Sequence, residues 1–124
     1  MSLARPRVLI ADDHPEVTKA VCRLLSLDCE VVGTVADAGA LLESAQRLKP
    51  DLIVLDLNLP DLSGLEACRQ IKEAHPQVKV IVFTAVTDPE VRQRSLAVGA
   101  SAFVSKLGPV TDLLSAIQRL SVEP

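Results

Sequence analysis

Apolar positions along the chain recur with two alternating periods. Short β-branched runs read as buried strands: Val8-Leu9-Ile10, Val31-Val32-Gly33-Thr34-Val35, Leu52-Ile53-Val54-Leu55, Val80-Ile81-Val82-Phe83 and Ala102-Phe103-Val104. The segments between them carry helical spacing. Val17, Ala20, Val21, Leu24 and Leu25 fall at i, i+3, i+4, i+7 and i+8, which is an amphipathic stripe. Leu41, Leu42, Ala45 and Leu48 repeat the idea, as do Leu65, Cys68 and Ile71, and Leu113, Ala116, Ile117 and Leu120. Val91, Ser95 and Val98 make a weaker stripe.

Punctuation agrees with this division. Pro50, Pro60, Pro76, Pro89 and Pro109 sit between periodic segments or in first helical turns, where a missing N–H does no harm. Asp88 before Pro89 reads as an N-cap followed by proline at the first helical position, and Gly99 stands just past a helix end. The pattern predicts five strand-then-helix units, (βα)5, with no repeat and no internal linker. Such alternation implies an α/β fold, a doubly wound five-stranded parallel sheet with helices on both faces. One domain is expected over residues 1–120, with residues 121–124 read as the start of a linker or C-terminal tail.

Composition narrows the function classes. The 124 residues carry a formal net charge of −3, and only 2% are aromatic. No Lys/Arg-rich patch and no stacking platform is visible, so nucleic-acid binding by this chain is excluded. The core must be built from Val, Leu, Ile and Ala, because there is no Trp, no Tyr, and only Phe83 and Phe103. The apolar runs are too short to span a bilayer and the N-terminal residues lack a secretory pattern, so no membrane association and a cytoplasmic location are expected. Cys22, Cys29 and Cys68 are odd in number and lack metal-ligand spacing, which suits reduced thiols filling core space.

Candidate chemistry collects where the strands end, because open α/β sheets bind ligands beyond the carboxyl ends of their strands. Asp12 and Asp13 follow strand 1, Asp56 follows strand 3, Thr84 follows strand 4 and Lys106 follows strand 5. Three clustered carboxylates repel one another and call for counter-charge. A hard divalent cation such as Mg²⁺ supplies it, since it takes oxygen ligands and is usually held by one or two carboxylates plus phosphate oxygens. Lys106 offers a compact point charge and Thr84 a single donor. Together the set suits phosphoryl transfer, where catalysis is mostly positioning and charge neutralisation.

At this point the sequence resembles a known family. Asp12-Asp13, Asp56, Thr84 and Lys106, with Leu55-Asp56-Leu57-Asn58-Leu59-Pro60-Asp61-Leu62-Ser63-Gly64 and Gly99-Ala100-Ser101-Ala102-Phe103-Val104-Ser105-Lys106, look like the receiver domain of two-component response regulators. The resemblance covers essentially the whole chain. It implies the flavodoxin-like strand order 2-1-3-4-5. It also implies that Asp56 accepts a phosphoryl group from the phosphohistidine of a sensor histidine kinase or phosphotransfer protein. Asp12, Asp13, Asp56 and the backbone carbonyl of Asn58 would hold Mg²⁺, and Lys106 would pair with the carboxylate and then the phosphoryl group. Thr84 and Phe103 match the switch positions that couple phosphorylation to a face made of helix 4, strand 5 and helix 5. That face would serve a phosphorylation-dependent dimer or an output domain outside this chain, with transcription regulation as the expected output.

Two positions depart from or modulate the pattern. Leu107 follows Lys106 where many members have a cis-bonded proline, and a cis bond before a non-proline residue costs about 2.5–4 kcal/mol. Val86 offers nothing to orient an attacking water, which implies slow autodephosphorylation. Each residue also has a blander reading when taken alone: Asp12 and Asp13 as helix caps, Asp56 as a turn residue, Thr84 as a strand former, Lys106 as a solvated lysine and Phe103 as core. His14 reads as a loop residue on the pocket rim and His75 as solvated. Competing functions are an unphosphorylated scaffold, a Mg²⁺-dependent phosphohydrolase with Asp56 as nucleophile, and a flavodoxin-type FMN protein. The hydrolase lacks its second acid, since Asn58 stands there. The FMN protein lacks its phosphate loop and stacking aromatics.

Overall fold

A computed structural model describes residues 5–121. Five strands, β1 (Arg7–Ala11), β2 (Glu30–Val35), β3 (Leu52–Leu55), β4 (Lys79–Thr84) and β5 (Ala102–Ser105), alternate with five helices, α1 (Pro15–Leu25), α2 (Ala38–Leu48), α3 (Gly64–Ala74), α4 (Pro89–Ala97) and α5 (Thr111–Ser121). All strand pairs are parallel and the sheet order is β2-β1-β3-β4-β5, as expected for a doubly wound (βα)5 fold. The order reverses between β1 and β3, so the crevice where ligands bind in such sheets opens beyond these two strands.

The pleat sorts alternate residues to two cores. Leu9, Ala11, Ile53, Leu55, Val80 and Val82 face α2, α3 and α4, whereas Val8, Ile10, Val54, Ile81, Phe83 and Val104 face α1 and α5. Because both faces are covered, β1, β3 and β4 read as continuous apolar runs. Strand limits run slightly wider than the apolar runs imply: β4 takes in Thr84 and β5 takes in Ser105. In α1 the buried line is Val21 and Leu25, with Val17, Cys22 and Leu24 packed beside it, while Ala20 faces solvent. The stripe is therefore turned by about one position, because the helix must lie over β1 and β2. Cys29 and Cys68 are buried, and burial pushes the Cys68 thiol up to about 11, which suits an inert core group.

Helix ends follow the sequence signals. Asp88 accepts from the Glu90 N–H with Pro89 in the first turn, and Gly99 takes a φ of 111°, a left-handed conformation suited to glycine. The weak stripe of α4 has a structural counterpart. Its one buried residue is Ser95, whose hydroxyl donates back to the Val91 carbonyl. Ser121 closes α5, and the rest of the expected tail, residues 122–124, lies outside the described residues.

The loop from β3 to α3 is closed tightly. The Gly64 N–H donates to the Leu57 carbonyl at 2.9 Å, and Leu57 and Leu59 are buried beneath the loop. A Cβ at Gly64 would lie 2.4 Å from Leu57 Cα and 2.9 Å from the Asp56 carbonyl oxygen. These are backbone atoms, which a rotamer change cannot move. Gly64→Ala is therefore expected to cost about 1–3 kcal/mol of stability, the range for forced overpacking. Urea unfolding reads it as a lower midpoint at unchanged slope, and an unchanged midpoint would contradict the tight closure.

Candidate functional site

The strand ends bring the expected chemistry to one edge of the sheet. Asp12 and Asp13 follow β1 directly, Asp56 follows β3, Thr84 is the last residue of β4, and Lys106 follows β5. Three of these residues stay on the ladder although they lie past the strands. The Asp12 N–H donates to the Val35 carbonyl at 3.0 Å, the Asp56 N–H to Ala11 at 2.9 Å, and the Lys106 N–H to Thr84 at 2.8 Å. Backbone pairing thus sets where each side chain begins, and short side chains leave little freedom after that.

The acids converge. Asp12, Asp13, His14 and Asp56 each offer one ligand atom, and these atoms lie within 4.8 Å of one another. Asp12 and Asp56 are buried, while Asp13 and His14 are exposed. Lys106 Nζ enters from the other side, 2.7 Å from Asp12 Oδ2 and 3.2 Å from Asp56 Oδ2. Its stem passes over Phe83, with Nζ 5.8 Å from the ring centroid. The Lys106–Leu107 bond is trans, so the loop bears no cis cost.

Asp56 is held unevenly. Its Oδ1 accepts the Asn58 N–H at 3.2 Å, which folds the following loop back over the carboxylate. Its Oδ2 is buried and accepts no hydrogen bond; Lys106 stands near it as an ion pair outside hydrogen-bond geometry. Buried polar atoms are nearly always satisfied, so an orphaned carboxylate oxygen marks a place for a cation or a reacting group. Three hard oxygen donors facing one gap fit Mg²⁺ better than a soft metal.

His14 does more than line a rim. Its ring is 58% exposed, yet Nδ1 lies 2.8 Å from Asp12 Oδ1, 3.2 Å from Asp13 Oδ1 and 3.6 Å from Asp56 Oδ2. The hydrogen bond from its ring to Asp12, and the Asp12 charge, raise its pKa above the ordinary 6.5. The local cause is a short turn in which the His14 N–H donates to Asp12 Oδ1 at 2.9 Å, reversing the chain before Pro15 opens α1. An aspartate two residues before a backbone N–H is the signal for such a turn, and it was visible in Asp12-Asp13-His14-Pro15.

Thr84, Asn58 and Phe103 are placed less directly. Thr84 is buried, its carbonyl holds the Lys106 N–H, and its hydroxyl accepts from the Val86 N–H at 3.2 Å. Asn58 exposes its side chain and meets Asp56 through its backbone. Phe103 pairs with Val82 and packs half-buried against the α2–α3–α4 core, on the face to which Thr84 also belongs by the alternation of β4. Phe83 beneath Lys106 went unassigned from sequence, because only the register Phe83↔Val104 sets it one residue behind the β4 end, under the lysine loop. His75 is partly buried at the α3 C-terminus, where its N–H donates to the Ile71 carbonyl. Among the described residues, no helix is long and apolar enough to cross a membrane.

Comparison with known proteins agrees with this geometry. The profile of the response regulator receiver domain matches residues 8–118. The chain is 36% identical over 117 residues to the response regulator protein VraR of Staphylococcus aureus, covering 93% of this chain and 56% of that protein. It thus spans about half the length of the curated relatives it matches. Among solved structures, a LuxR-family two-component response regulator from an Aurantimonas species superposes with a TM-score of 0.90 at 30% identity, covering 94% of this chain and 85% of that one. The RcsB response regulator of Salmonella typhimurium superposes with a TM-score of 0.91 at 29% identity, covering 98% and 64%. On these grounds the chain belongs to the response regulator receiver domain family.

Proposed function

We propose that this chain is the phosphoacceptor module of a two-component response regulator and that Asp56 is the acceptor. The observation that carries the reading is Asp56 Oδ2, buried and unbonded between Lys106 and two further carboxylates. An oxygen of Asp56 attacks the phosphorus of a phosphohistidine on a sensor histidine kinase or phosphotransfer protein. The P–O bond forms as the P–N bond breaks, and the imidazole leaves with the electron pair. Asp12, Asp13 and Asp56, with the carbonyl of Asn58, would hold Mg²⁺. When bound, Mg²⁺ offsets the charge of the carboxylates and of the incoming phosphoryl oxygens.

The chain's own groups supply the rest. Lys106, already beside Asp12 and Asp56, neutralises the acceptor and then the phosphoryl group. Thr84 donates a hydrogen bond from its hydroxyl to a phosphoryl oxygen, the same hydroxyl whose oxygen accepts from the Val86 N–H. Phe103 lies on the same sheet face as Thr84 and is only half-buried, which supports its role as the partner that moves inward when Thr84 does. Beside it an open groove of about 560 Å³ is lined by Arg92, Leu96, Phe103, Asp112, Ser115 and Arg119. Its mixed charge and apolar centre suit a second copy or an output domain, so the α4–β5–α5 face is the responsive one. The relatives' greater length supports an output domain outside this chain, and the LuxR-family neighbour supports transcription regulation as its role. Asp56 acts as a single-turnover acceptor, since Asn58 stands where a hydrolase keeps its second acid.

Incubation with acetyl phosphate and Mg²⁺ is expected to add one phosphoryl group to the intact mass, stable in acid and lost in base. Asp56→Ala and excess EDTA each abolish the adduct. Lys106→Ala reduces its rate strongly while the fold persists by circular dichroism. An adduct that survives in Asp56→Ala removes Asp56 from the role.

In metal-free protein, His14 is expected to titrate above 6.5, because Asp12 favours its charged form. A pKa raised on folding adds stability that is fully present below pH 6.5 and fades as the pH rises through the shifted value. Proton NMR of the His14 ring reads the midpoint, and added Mg²⁺ should lower it by drawing Asp12 away. A metal-free midpoint at or below 6.5 would contradict the contact.

A further inference from the structure

The first turn of α2 is satisfied by two aspartates, one of them from a distant loop. The Ala40 N–H donates to Asp37 Oδ1 at 2.7 Å and the Leu41 N–H to the Asp37 carbonyl at 3.1 Å, so Asp37 is the helix's own N-cap. The remaining two donors, Ala38 and Gly39 N–H, go to Asp61, at 2.8 Å to Oδ1 and 2.9 Å to Oδ2. The three N–H groups of the first turn that have no acceptor within the helix, those of Ala38, Gly39 and Ala40, are thereby taken. Asp61 belongs to the loop between β3 and α3, not to α2, and its side chain reaches across to do this. These two backbone donors hold its carboxyl below the ordinary carboxylate range although the residue is exposed.

The loop that Asp61 anchors is the one that carries Asn58. It is fastened at its base where the Gly64 N–H meets the Leu57 carbonyl, and from below by buried Leu57 and Leu59. Its inner side touches the acceptor, because the Asn58 N–H donates to Asp56 Oδ1. Among these fastenings, Asp61 secures the exposed outer end, and both of its oxygens are engaged. Loss of that clasp frees the backbone on which Asn58 sits without removing any group from the acid pocket.

We infer that Asp61 is a positioning residue for the acceptor site: it ties the tip of the 57–63 loop to the first turn of α2 and so holds the Asn58 backbone against Asp56 in the arrangement that receives a divalent cation. This rests on the phosphoacceptor reading above, in which Asn58 contributes its carbonyl. The role differs from plain helix capping, since Asp37 caps the same turn yet makes no bond to the loop.

The test compares Asp61→Ala with Asp37→Ala, each of which removes one negative charge and part of the α2 cap. Magnesium chloride is titrated calorimetrically into the full chain, and thermal melting is followed in parallel. Asp61→Ala is expected to weaken Mg²⁺ binding about tenfold, the low end for residues that support metal ligands. Asp37→Ala should lower the melting temperature at least as much while leaving Mg²⁺ affinity near the wild-type value. Amide exchange at Asn58 and Gly64 should speed up in the Asp61 variant alone. Asp61→Asn, which keeps one accepting oxygen, should fall between, and it carries the comparison if Asp61→Ala does not fold. Equal Mg²⁺ affinities in the Asp61 and Asp37 variants would overturn the positioning role and leave the phosphoacceptor reading standing. A wild-type chain that binds no Mg²⁺ would overturn both.

Discussion

Two buried carboxylates, Asp12 and Asp56, share the single ammonium of Lys106, and the site depends on that imbalance. A buried charge costs several kcal/mol unless it is paired, so these acids cannot sit here without a cation at hand. One lysine and the proton-dependent charge of His14 leave the three-acid pocket short of positive charge. Asp56 Oδ2 is the atom where the shortfall shows, being buried without a hydrogen bond. In the proposed reading a divalent ion makes up this shortfall, and a phosphoryl group enters together with it.

The geometry that maintains this imbalance comes from the sheet. Parallel pairing past the strand ends fixes Asp12, Asp56 and Lys106 by their backbone N–H groups, and the core on both faces prevents the strands from sliding. A one-residue slip would turn every apolar side chain of β3 to the wrong core. Rigidity at the strand ends contrasts with α4, whose only buried residue is a serine bonded within its own helix. A precise site therefore adjoins a lightly packed helix, which is a sound arrangement for passing a local charge change outward.

Much of this was legible in the sequence. Strong runs such as Leu52–Leu55 and Val80–Phe83 announced central strands, and the polar residue after each run proved to stand at the common edge. The reading was poorer where tertiary contact outweighs local pattern. Ala20 fits the helical stripe of α1 yet faces solvent, since the angle at which a helix meets a sheet is not written in its own spacing. His14 reads as rim because nothing local says how far a turn will bend a ring into its neighbours. Asp61 has no role of its own in the sequence pattern, for its partners lie 22 and 23 residues earlier in the chain.

By itself, then, the sequence determined the alternation of strand and helix, the parallel sheet that follows from it, and the residue types gathered at the carboxyl edge. Those are consequences of periodicity and chain connectivity, which are local or nearly so. Only the tertiary structure decided which acids are buried, which oxygen is left without a partner, that Lys106 reaches Asp12 as well as Asp56, and that a distant carboxylate fastens the loop after Asp56 to α2. The reason is physical: desolvation and hydrogen-bond satisfaction depend on all elements that surround an atom, and those elements come together only when the chain has folded.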